Sequence, residues 1–141
     1  VRDFVRSPEV MIGSDGNSVS PEGTTGQGRP HPRFYGTFAK VLGHYSRDLG
    51  LLPLKDAVHK MTGASAKALG LKDRGVLKEG FRADITIFDP ETIAEQATYE
   101  DPHQFATGLD TVLVNGVPTL RLGEHTGALA GQVLRRQRDF S

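Results

Sequence analysis

Cysteine is absent from the 141 residues, which excludes disulfides and thiolate metal sites. Charge of one sign is absent too. Seventeen Lys and Arg balance seventeen Asp and Glu, leaving no field to gather nucleic acid or an anionic membrane surface. No apolar stretch approaches the ~20 residues needed to span a bilayer. The five histidines, His31, His44, His59, His103 and His125, lie far apart. None has the one-residue or helical four-residue spacing of a two-histidine metal clamp, so a self-contained metal site is not expected. No Gly-x-Ser-x-Gly elbow accompanies Ser14 or Ser18, which argues against a serine-histidine-acid triad. The stretch from Gly23 to Gly28 matches neither a dinucleotide nor a phosphate-loop fingerprint and reads as a flexible flap. An initiator methionine is also missing: the chain opens Val1-Arg2-Asp3-Phe4-Val5 and is expected to be cut from something longer. Its fold would need the amino-terminal part of that parent. The expected compartment is the cytoplasm.

What is present, 37% hydrophobic and 24% charged residues, is the balance of a globular domain. Val10 to Gly13 is a short apolar run closed by Gly13-Ser14-Asp15-Gly16, which predicts a strand. It feeds a long loop, Asn17 to Arg33, rich in glycine and proline. Phe38, Val41, Leu42, Tyr45 and Leu49 then follow a helical period, with Thr37 placed as cap and Gly50 as stop. A second helical pattern runs through Leu54, Ala57, Val58 and Met61, and a third from Ala64 to Leu69 ends at Gly70, a natural left-handed cap. Beyond Leu71 the character is β. Val76-Leu77 leads into a turn at Lys78-Glu79-Gly80, and Ala83 to Phe88 alternates until Asp89-Pro90. Thr111 to Val114 and Val117 to Leu120 flank Asn115-Gly116, the favoured pair for a two-residue hairpin. Pro118 puts the returning strand at an edge or a bulge. One strand with three helices, then a few strands, makes two unfinished α/β and β architectures.

Asp15 would project from the carboxyl end of a strand, the edge on which barrels and open α/β sheets assemble their sites. The same Ser-Asp-Gly also fits a plain turn. His31 and Arg33 lie in Arg29-Pro30-His31-Pro32-Arg33, where two prolines stiffen the loop before a helix start. Arginine's planar fork can grip a carboxylate bidentately, which makes Arg33 a candidate substrate clamp; an ordinary surface arginine fits the spacing as well. His44 and His59 fall on helices, His103 and His125 in loops, and these four read as structural.

Met11-Ile12-Gly13-Ser14-Asp15-Gly16, His31-Pro32-Arg33 with Tyr35-Gly36-Thr37-Phe38, and Lys60-Met61-Thr62 resemble the N-acyl-D-amino-acid deacylases of the amidohydrolase superfamily. The likeness continues through Gly75 to Pro90, Tyr99-Glu100-Asp101-Pro102-His103, Val114-Asn115-Gly116 and His125-Thr126-Gly127. The resemblance implies an α/β fold. Residues 1–71 would be the last strand and following helices of a (β/α)8 TIM barrel, and 72–141 part of a small β-sandwich-like domain and tail. It implies zinc-dependent hydrolysis of N-acylated D-amino acids to a D-amino acid and a carboxylate. Asp15 would be the catalytic proton acceptor and a metal contact, with Arg33 and His31 on the substrate side. The zinc-binding histidines would lie before Val1, so the isolated chain is expected to be inactive. Two alternatives are a cyclic-amide hydrolase of the hydantoinase or dihydroorotase type, and a noncatalytic structural or interaction module.

Overall fold

The computed structural model describes residues 1–135. Helix α1 (Arg2–Arg6) buries Val5. After the loop, α2 (Arg33–Lys40) continues without a break as a π-helical stretch, Val41–Asp48. Then come α3 (Leu54–Met61) and α4 (Gly63–Leu69), the latter closed by Gly70 at φ 75°. Four antiparallel strands follow in the order β1-β2-β3-β4: Ile85–Phe88, Leu109–Val114, Val117–Arg121 and Glu124–His125. None of the helices in the described residues is long and apolar enough to cross a membrane.

The helices form where the apolar period placed them, with one shift at a start. Helix α2 begins at Arg33, a turn before Thr37, so Thr37 is no cap; its hydroxyl donates to the Arg33 carbonyl one turn back at 3.0 Å. The core packs this helical layer against one end of the sheet, where Phe88 and Leu109 are cross-strand partners. Val5, Val41, Leu42, Leu52, Ala57 and Ile93 are buried, and Phe88 of β1 and Leu109 of β2 pack on them. Ile93 is 1% exposed and belongs to the 89–108 connection rather than to a strand. Gly36 and Gly43, seven residues apart and so on one helix face, let that connection lie directly on the helix. A Cβ on Gly36 would stand 2.8 Å from Glu95 Cβ, and one on Gly43 would collide with the Ile93 carbonyl.

The hairpin forms as the sequence predicts. Asn115 and Gly116 have φ of 50° and 81°, the double left-handed geometry of a type I′ turn. Pro118 sits just past a register shift between Val112 and Leu113 and beyond the reach of β4, which pairs only with Leu120 and Arg121, so its missing N–H costs no ladder bond. His125 belongs to β4 rather than to a loop. Val76-Leu77 forms no strand. Val10 to Gly13 is likewise in no sheet among the described residues, because strand structure needs a partner ladder and the neighbour here is a helix end. The Ile12 amide donates to the Lys60 carbonyl at 3.3 Å.

Candidate active site

Lys60 of α3 fixes the segment that leads to Asp15. Only 5% of it is exposed, and its ammonium donates to the carbonyls of Ser7 and, at 2.8 Å, Val10. A buried ammonium must spend its donors on acceptors, and these acceptors lie on the incoming chain. The Ser14 hydroxyl then accepts the Gly16 amide at 3.2 Å, and Asp15 turns at φ 49°, a conformation aspartate tolerates better than most residues. Gly16 passes so close to α2 that a Cβ there would lie 3.1 Å from Phe34 Cα.

That crossing brings Asp15 and Arg33 together across eighteen residues. Arg33 Nε donates to the Asp15 carbonyl at 3.0 Å, and Nη2 pairs with Oδ2 at 3.0 Å. One guanidinium thus holds both the backbone and the carboxylate of one residue. The Asp15 side chain is 86% exposed and that of Arg33 41%, so water screens the pair, and such pairs contribute about 1 kcal/mol or less. Arg33 and Ser14 also enter the lining of a cavity of about 780 Å³ between helices and sheet, with Val58, His59, Val76 and Ile85 among its other walls.

His31 stands beside Arg33 with both ring nitrogens engaged. Nδ1 accepts the Arg33 amide at 3.0 Å, and Nε2 meets the Tyr99 hydroxyl at 3.0 Å. Tyr35 bonds His103 Nδ1 at 2.8 Å, while His103 Nε2 reaches the Gly28 carbonyl at 3.0 Å. Burial pushes the Tyr35 hydroxyl above its ordinary value. The sequence placed Tyr35, Lys60, Tyr99 and His103 in motifs, with His103 read as structural, but assigned none of them these contacts. The usable signal was a mirrored pair of motifs: His31 and Tyr35 stand four apart, as do Tyr99 and His103. Among the described residues, no three His, Cys, Asp or Glu side chains converge as a metal cage would require.

The amidohydrolase family model matches residues 9–120. This chain belongs to the amidohydrolase family. Within the family it is 51% identical to a D-aminoacylase of Alcaligenes xylosoxydans xylosoxydans over 127 residues, 90% of this chain and 25% of that protein. A crystal structure of D-aminoacylase, described as defining a novel subset of amidohydrolases, superposes with a TM-score of 0.87 at 47% identity, over 96% of this amidohydrolase chain and 27% of its own. N-acyl-D-glutamate deacylase from Bordetella bronchiseptica, solved with zinc and a phosphonate mimic of the tetrahedral intermediate, gives a TM-score of 0.76 at 40% identity, over 84% of this chain and 23% of its own. The chain therefore spans about a quarter of the length of the relatives it matches.

Proposed function

We infer that this chain is the carboxy-terminal part of a zinc-dependent hydrolase that cleaves N-acyl-D-amino acids to a D-amino acid and a carboxylate. In this reading residues 1–71 close a (β/α)8 barrel, with Val10 to Gly13 as its last strand paired to neighbours outside the chain. Residues 72–141 contribute to a small β domain; its stretch beyond residue 135 lies outside the described residues. The observation that carries the reading is the pairing of Asp15 with Arg33 at the exit of that segment, in a chain half identical to a D-aminoacylase over 127 residues.

One exposed carboxylate is not a zinc site. In this reading Asp15 lends the ion one ligand, and the others come from residues beyond these 141. As a base, Asp15 takes a proton from the water whose oxygen bonds to the amide carbon. It then delivers that proton to the nitrogen as the C–N bond breaks, so that the amine leaves neutral. Arg33 exchanges Asp15 for the substrate carboxylate, a swap that the weak, solvated ion pair permits. Release of the guanidinium leaves Asp15 free to act as the base.

The test is Asp15→Asn in the full-length enzyme. The amide cannot accept the proton, so kcat should fall by about a hundredfold or more while zinc content by elemental analysis stays near wild type. A wild-type rate would sink the assignment. A panel of N-acetyl-D-amino acids, their L enantiomers and hydantoins fixes the substrate class, with turnover expected on the first group.

A further inference from the structure

Arg33 lies between the two arms of a reciprocal clasp. Residues 31–35 offer a histidine and a tyrosine, 99–103 a tyrosine and a histidine, and each histidine bonds the other stretch's tyrosine, at 3.0 and 2.8 Å. Both ring pairs meet edge to face, with centroids 5.1 and 5.7 Å apart, a favoured aromatic geometry. The network fixes the tautomers. The Arg33 amide can only donate, so His31 Nδ1 holds a lone pair and Nε2–H donates to Tyr99. The Gly28 carbonyl can only accept, so His103 Nε2 carries its hydrogen and Nδ1 accepts the Tyr35 hydroxyl. Every ring nitrogen is committed to protein, and neither ring has an atom left to hold a substrate.

The clasp takes over a task the local sequence leaves undone. Pro32 stands at the cap of α2 without a side chain that can bond the first turn, so the Arg33 amide is one of the orphan donors of a helix start. His31 satisfies it from one residue further out. We propose that the Tyr99–His31 and His103–Tyr35 pairs are positioning devices that set the angle at which Arg33 leaves the helix and meets the substrate carboxylate. His31 then acts through Arg33 without touching substrate. This rests on the reading of Arg33 as the carboxylate clamp.

Tyr99→Phe in the full-length enzyme removes only a hydroxyl, from a residue 70% exposed. KM for an N-acyl-D-amino acid should rise roughly two- to tenfold, with kcat, the amide-capped analogue and the thermal midpoint unchanged. In an Arg33→Ala background the same substitution should add nothing, the coupling expected of residues that act through one another. An unchanged KM on the Arg33 enzyme, or equal rises in both backgrounds, overturns the clasp alone. Arg33→Ala without any rise in KM overturns the clamp first, and the clasp with it. His103→Gln tests the other arm by the same criteria and serves if Tyr99→Phe does not fold.

Discussion

Arg33 holds Asp15 at two points, Nε on its carbonyl and Nη2 on its carboxylate, and the single nitrogen of a lysine cannot reproduce that fork. Arg33→Lys in the full-length enzyme keeps the charge but loses the second donor of the fork. KM for carboxylate substrates should rise about tenfold and that for an amide-capped analogue should stay within error; equal rises would count against carboxylate recognition. Lys60 acts differently, because it is buried and its acceptors are backbone carbonyls. Lys60→Met takes the ammonium from the half-buried Ser7 and Val10 carbonyls, of which Ser7 keeps the Val10 amide at 3.3 Å, a loss of about 1–3 kcal/mol in all. The urea midpoint should drop, and kcat should fall with it as the Asp15 segment loosens; an unchanged midpoint would show that water replaces the ammonium. Asp15 and Arg33 stood out as candidates because glycines and prolines flank them, but their ion pair was not legible, its partners lying eighteen residues apart. Lys60 did not stand out, since a lysine within a helical period reads as solvent-facing, and only the extended segment crossing above it makes the site interior. The His31–Tyr99 bond was hidden for a similar reason: its partners are sixty-eight residues apart.

Elements whose cause is local were readable, and those whose cause is a distant partner were not. The period through Phe38, Val41, Leu42 and Tyr45 found the long helix, but its widening into a π-helical stretch was not legible, because nothing in that period distinguishes it. Here the Leu49 amide reaches the carbonyl of His44, five residues back. Asn115-Gly116 announced the hairpin by its own backbone preference. Beside its ladder with β1, the hairpin is tied to the rest by an ion network that periodicity does not report. Asp84 accepts the Asn115 amide at 2.8 Å and pairs with Arg74 at 2.6 Å, while Asp73 accepts from Arg82 at 3.0 Å. The Arg82 hydrogen bond, helped by Arg74 and opposed by partial desolvation, holds the Asp73 carboxyl below its usual value. A carboxyl with a lowered folded value contributes stability that is complete above the unfolded value, about 3.9, and disappears as pH falls through the folded one. The stability gap between wild type and Asp73→Asn, followed by denaturant titration, should therefore close as pH drops below about 3.9. A gap constant with pH would mean that the network contributes through packing alone.

At the scale of the whole molecule, composition identified a globular chain and little more, because the arrangement of layers depends on what each apolar face meets. One end of the four-stranded sheet packs on the helices. Elsewhere large apolar side chains stand open, Phe4 at 68%, Leu77 at 83% and Leu129 at 97% exposed, and a cavity of about 780 Å³ separates parts of the two layers. Single exposed apolar residues are ordinary, but Leu77 lines that open, apolar-walled cavity, the kind of surface that meets more protein. The relatives, about four times as long, are consistent with that. Three outcomes should then go together when residues 1–141 are expressed alone. The chain should bind a hydrophobic dye strongly, take up no stoichiometric zinc by elemental analysis, and release no amino acid from N-acyl-D-amino acids. On the proposed reading the full-length enzyme should reverse all three, its further chain covering the apolar walls and adding metal ligands to Asp15. Stoichiometric zinc and turnover on the 141 residues alone would show that Asp15 finds enough partners within this chain, and the proposed division of labour would be wrong.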